Sequence, residues 1–190
     1  MRARVRCSAV VALVGLLVAP PAAGEPAGLS GHDAHTHGAG GALHSAASAQ
    51  AAGGRRLVIG RIGVNAPIRT VGITADGGLA VGSSASTVYR WKDGVTPGQR
   101  GSAVLAGHTW EAGDGVFDHL ARLRKGNVVR VGKHRFKVTR KQRVQRMGPA
   151  QVAALYADTG PARIVLITCG DRDAQGTYHS RILVRARKVR

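Results

Sequence analysis

Acidic residues, aromatic rings and cysteines are all scarce in this chain. Asp and Glu number 10 against 28 Lys and Arg, so the formal net charge is +18 over 190 residues. A chain this basic invites a nucleic-acid reading, but aromatics make up only 4% of it, too few rings to stack bases along a strand. There is no Cys-x-x-Cys spacing, no heptad pattern and no internal repeat, which removes zinc ribbons, coiled coils and solenoids from consideration. Long apolar runs are missing too. The stretch from Ser8 to Ala19 holds about 12 residues, whereas a bilayer span needs roughly 20.

What is present at the N-terminus reads as an export signal. Arg2, Arg4 and Arg6 form a positive head, Ser8 to Ala19 an apolar core, and Ala22-Ala23-Gly24 a small-residue cleavage site. The short core and Pro20-Pro21 favour cleavage, while the uncharged stretch Cys7 to Gly24 leaves an uncleaved membrane stem open. Residues 1–24 are thus a signal peptide or short anchor, and the remainder lies outside the cytoplasm. Removing the three signal arginines leaves 25 basic and 10 acidic residues, or 25 − 10 = +15. Outside a cell the nearer polyanions are lipid head groups and wall polymers, so this charge points to contact with an anionic envelope. No nucleic-acid partner is expected.

Residues 25–55 are Gly, Ala, Ser and His with almost no large apolar side chain, and cannot bury enough surface to offset the entropy of ordering. They read as a flexible tether. His32, His35, His37 and His44 lie in it with only Asp33 close by, a set suited to adventitious metal binding but not to a defined site. From residue 56 to 190, short apolar runs alternate with Gly and Pro in the manner of an all-β barrel or sandwich. The expected strands are Leu57 to Ile62, Ile68 to Ile73, Thr87 to Trp91, Ala103 to Ala106, Val128 to Val131, Phe136 to Arg140, Arg163 to Thr168 and Arg181 to Arg187. Val116, Leu120 and Leu123 recur at helical spacing, and Gln151 to Tyr156 follows Pro149 as a second short helix.

Two segments share a pattern. AVLAGHTW and IVLITCGD each run apolar and then present one reactive side chain, His108 and Cys169, at or just beyond a strand end. Cys7 sits at the edge of the signal core and is a poor disulfide partner, so Cys169 reads as a solitary thiol, either inert and buried or reactive. Only a thiolate attacks, and a neighbouring imidazole or guanidinium raises its share. His108 can pass protons to and from amines. If the strands around Cys169 and Arg181 pair antiparallel, Arg181 lies near the sulfur and suits an oxyanion.

These residues resemble the sortase family, closest to its actinobacterial class F. The resemblance begins near Arg56 and runs through API (Ala66 to Ile68), DGGL (Asp76 to Leu79), TPGQRGSAVLAGHT (Thr96 to Thr109), GVFDHLARLRKGNVVRV (Gly115 to Val131) and LITCG (Leu166 to Gly170). It implies an eight-stranded β-barrel with short helices. It further implies a cysteine transpeptidase that cleaves an LPXTG-like sorting signal after Thr, through a thioacyl intermediate, and passes it to an amine such as that of a peptidoglycan precursor. The matching motifs carry the nucleophile onto Cys169, the acid-base histidine onto His108 and the guanidinium onto Arg181. The chain reads CGD where the family usually reads CGG, and its following loop is shorter, so Arg172 is the alternative guanidinium. Thr168 either orients substrate or packs in the strand. Some sortases bind calcium before the cysteine strand, but Gln142 to Pro161 holds only Asp158, and no metal or other cofactor is expected. Asp114 and Asp118 read as helix-start charges. Two further readings stay open: a predominantly hydrolytic enzyme, and a catalytically weak, basic envelope-binding module.

Overall fold

The structure is a computed structural model that describes residues 55–75, 79–110 and 115–190. The signal, Cys7, the tether with its four histidines, Asp76 and Asp114 lie outside the described residues.

Eight strands close into a barrel: β1 (Arg56–Ile59), β2 (Val64–Val71), β3 (Val88–Trp91), β4 (Ser102–Gly107), β5 (Val128–Val131), β6 (His134–Val144), β7 (Arg163–Arg172) and β8 (Tyr178–Val189). Their order around the barrel is β1-β2-β3-β4-β7-β8-β6-β5, with β5 returning to β1. Closure pairs every edge, so no strand offers a free ladder along its whole length. The β2/β3 and β4/β7 pairs are parallel and the others antiparallel.

The alternation of side chains fills two layers. Inward positions form the main core, which includes Leu57, Ile59, Val88, Leu105, Val129, Val131, Phe136, Ile164, Leu166 and Val184, all fully buried. Outward positions of the adjacent strands β4, β7 and β8 form a second cluster, with Val104, Val165, Ile167 and Leu183 packed beneath Leu155 and against Val144, Met147 and Tyr156. Strands buried on both faces lose polar alternation. That is why SAVLAG and RIVLITC read as near-continuous apolar runs. The lid over the second cluster is helix α1 (Pro149–Leu155), which starts on proline, where a missing N–H costs nothing, and turns Val152 and Leu155 inward. The Gln151 side chain accepts the N–H of Gly148 at 3.0 Å and closes the helix start.

The segment expected to be helical after His108 is instead a run of turns ending in a 3-10 turn at Leu120–Arg122. Phe117, Leu120 and Leu123 are its fully buried residues. Their spacing of three is the 3-10 repeat, whereas the sequence reading had placed the half-buried Val116 in the stripe.

Candidate active site

Strand register brings the three candidate residues level. In the parallel β4/β7 pair, Val104 faces Val165 and Ala106 faces Ile167. Continuing that register by two residues sets His108, just past β4, beside Cys169. In the antiparallel β7/β8 pair, Cys169 faces Arg181 directly, and across β8 Arg181 faces Val144. Neighbouring strands lie about 4.8 Å apart, so His108, Cys169 and Arg181 form one lateral row. All three share the outward parity of Val104, Ile167 and Leu183, so the row continues the floor of the second apolar cluster rather than entering the barrel core.

The sequence reading put Cys169 at or beyond a strand end, but β7 continues to Arg172 and β8 starts at Tyr178. The two are joined by a compact turn. Asp173 N–H donates to Thr177 O at 2.9 Å, Thr177 N–H donates to Asp173 Oδ1 at 2.8 Å, and Gly176 takes the left-handed φ of 91° that closes it. This tight hairpin keeps Cys169 and Arg181 in register. The Cys169 sulfur is disulfide-bonded in this structure, so the chemistry considered below belongs to the reduced form.

His108 is only 5% exposed. Its Nε2 lies 2.6 Å from Gly82 O, and because a carbonyl oxygen only accepts, Nε2 carries the hydrogen. Nδ1 is buried with no hydrogen-bond partner among the described residues. In a neutral ring Nδ1 therefore holds the lone pair and is the nitrogen that gains and loses a proton. Tyr89 and Trp110 meet the imidazole edge-on, at centroid distances of 6.2 and 6.0 Å. Backbone and rings together fix the ring plane.

Arg181 is half-buried, and its Nη1 donates to Ser180 O at 2.9 Å. Burial lowers its pKa from the ordinary value, yet a guanidinium titrates so high that it stays cationic at neutral pH. Arg172 lies three residues beyond Cys169, exposed, opposite Tyr178 and over Gly176 of the turn. Of the two arginines weighed from the sequence, Arg181 is the one in the row. The Thr168 hydroxyl faces the other way. It donates to Gly107 O at 2.8 Å and lies 2.6 Å from the Thr109 hydroxyl, which donates to Cys169 O at 3.0 Å. These contacts tie the end of β4 to β7 and hold His108 beside Cys169.

Asp118 has a role the sequence reading missed. Its two carboxylate oxygens accept the N–H groups of Trp110 at 2.7 Å and Gly115 at 3.0 Å, bracketing the loop that leaves His108. Phe117 N–H donates to His108 O at 3.0 Å. Gly115 fits only without a side chain, since a Cβ there would come within 2.3 Å of Asp118 Oδ1 and 2.7 Å of His108 O. The Gly-x-x-Asp spacing was the available signal, but it was taken as a helix start. Among the described residues no cluster of His, Cys, Asp or Glu could hold a metal ion.

The barrel thus carries a cysteine, a histidine and an arginine in one row on its outer face. Residues 57–189 match the family model described as Sortase domain, and the chain belongs to the sortase family, whose members are cysteine transpeptidases. Sortase C-1 from Actinomyces oris is similar in structure, with a TM-score of 0.54, 26% identity, and coverage of 72% of this chain and 73% of that one. A sortase D5 transpeptidase from Clostridium perfringens gives a TM-score of 0.55 at 18% identity, covering 72% and 79%. Sortase A from Corynebacterium diphtheriae gives 0.55 at 22%, covering 72% of this chain and 60% of its own. The last two likenesses concern the fold. No curated protein matches the chain.

Proposed function

We propose that the chain is an extracytoplasmic cysteine transpeptidase of sortase class F that cleaves an LPXTG-like sorting signal after Thr and transfers the acyl part to an amine of the cell wall, such as that of a peptidoglycan precursor. The single observation that carries this reading is the lateral row in which Cys169 faces Arg181 and lies level with His108.

In the proposed reaction the Cys169 thiol gives its proton to His108 Nδ1, and the thiolate attacks the carbonyl carbon of the Thr residue. The Arg181 guanidinium donates hydrogen bonds to the oxyanion that forms. As the C–N bond breaks, Nδ1–H protonates the leaving amine and a thioester remains on Cys169. The incoming amine attacks that carbonyl, His108 takes its proton, and the C–S bond breaks to restore the thiol. Trp91 and Tyr156, both half-buried, meet edge-on at 5.8 Å, and Tyr156 packs against the second apolar cluster that the row of three continues. No helix among the described residues is long and apolar enough to cross a membrane. Envelope attachment is assigned to the N-terminal sequence by its charged head and apolar core.

The test is peptide turnover under reducing conditions by the wild type and Cys169→Ala. Cleavage between Thr and Gly that disappears in the variant, with the circular dichroism spectrum unchanged, is expected. Equal turnover by both proteins would falsify the assignment.

A further inference from the structure

The outward face of β7, β8, β6 and β5, at the end of the barrel remote from Cys169, is a register-matched array of cations. Arg130 of β5 faces Arg135 of β6. Lys137 of β6 faces Arg187 of β8, which faces Arg163 of β7. One row nearer the site, Arg140 faces Arg185. Like charges directly opposite each other destabilise a sheet, and here four such pairs stand together.

The strands that carry the array hold few acidic residues. Residues 55–190 hold 25 of the 28 Lys and Arg against eight of the ten Asp and Glu, giving 25 − 8 = +17. No acidic residue occurs on β5, β6 or β8. An arginine–carboxylate pair, Arg143 with Asp171, lies at the other end of β6. Arg163 spends its guanidinium on the Thr159 and Ala157 carbonyls, so it is anchored. Arg130, Arg135, Lys137, Arg140 and Arg187 are exposed. The mutual field is evident in the array itself: Arg185 has its pKa lowered by burial first and then by Arg140 and Arg163. Nearby, His134 is lowered by burial and then by Lys188, Lys133 and Arg55.

We propose that this face docks on the surface of an anionic phospholipid bilayer, with the active-site end turned away from it. Three features favour a lipid surface over a linear polyanion. Four adjacent strands at about 4.8 Å spacing make the array about 14 Å wide, a two-dimensional lattice of charge and not a groove that would track one backbone. It carries no aromatic side chain that would stack bases. Lastly, the chain enters the barrel at Arg56 of β1, whose Val58 faces Arg130, so the described N-terminal end of the barrel lies beside the array.

The experiment is co-sedimentation of the full chain with phosphatidylcholine vesicles, with and without phosphatidylglycerol. The variant carries Arg130→Gln, Arg135→Gln, Lys137→Gln and Arg187→Gln together. A control of equal charge loss at the active-site end carries Arg61→Gln, Arg122→Gln, Arg124→Gln and Lys125→Gln. The N-terminal sequence is common to all and cancels in the comparison. A basic residue near an anionic surface is worth about fivefold in partitioning, so the patch variant, which loses four, is expected to bind phosphatidylglycerol vesicles about 600-fold less well, and the control far less affected. Wild-type binding should also weaken with salt. The patch variant should cleave peptide in solution as the wild type does, which separates this proposal from the catalytic one. Equal binding by the two variants, equal binding to both vesicle types, or release of the wild type by soluble polyphosphate at matched phosphate concentration would each overturn it.

Discussion

Replacing each candidate guanidinium separately tests the row geometry most sharply. Arg181 faces Cys169 across one strand spacing, about 4.8 Å of backbone separation, whereas Arg172 sits three residues, roughly 10 Å, further along β7. A preorganised donor to an oxyanion is worth about 10²- to 10³-fold in kcat when removed. Arg181→Ala should therefore lose that factor in kcat with little change in KM, because the interaction forms in the transition state and not with bound peptide. Arg181→Lys should recover only part, since an ammonium lacks the planar fork of donors. Arg172→Ala, in an exposed side chain over the turn, should stay within about threefold of wild type. The assay is steady-state cleavage of a sorting-signal peptide under reducing conditions, with fold checked by thermal melting. A larger kcat loss from Arg172→Ala than from Arg181→Ala would refute the assignment of the row.

Other consequences follow from the same contacts. Asp118→Ala removes the acceptor for two backbone N–H groups beside His108, and should lower stability by about 2–3 kcal/mol and kcat by at least about tenfold, read by denaturant melts and turnover. Gly115→Ala should cost more than about 2 kcal/mol, because its Cβ meets Asp118 and the His108 backbone, while Gly60→Ala, with open space around it, should be near neutral. Phe117→Ala empties a fully buried site and should cost about 3–5 kcal/mol in a chemical melt. The hairpin after Cys169 should loosen in acid. Asp173 is held below its ordinary value of 3.8 by the His179 hydrogen bond first and the Thr177 N–H second. A depressed carboxyl stabilises the fold above its unfolded pKa and loses that contribution as pH falls through the lower folded value. The Asp173 and Thr177 resonances should thus keep their native shifts to below pH 3.8, and an Asp173 carboxyl titrating at or above that value would contradict the contact.

The barrel was legible because burial on one or both faces leaves a direct trace in sequence. All eight expected strands exist, and Val128–Val131 has the expected ends. β6 was read as five residues and spans His134–Val144, because beyond Arg140 the positions opposite the core residues Val184 and Ile182 carry Lys141 and Arg143, which breaks the apolar alternation. β7 was cut short at Thr168 because Gly170 and Asp171 look like a turn, and Asp171 does take a left-handed φ of 52°, yet pairing continues to Arg172. His108 and Cys169 stood out as reactive groups closing apolar runs that proved to be neighbouring parallel strands. Register sets Arg181, and not Arg172, directly opposite Cys169, and register depends on the length of a turn, which residue types alone left open. The Asp118 clamp was hidden for a related reason. It exists only once the chain reverses after His108 and brings Trp110 and Gly115 to one carboxylate.

Intact-mass analysis of the reduced chain mixed with a sorting-signal peptide, followed by peptide mapping, measures the central step directly. The account predicts a mass increase equal to the peptide fragment ending in Thr, located on Cys169 and discharged when an amine is added. Absence of any adduct while the peptide is still cleaved, or an adduct on another residue, would contradict it.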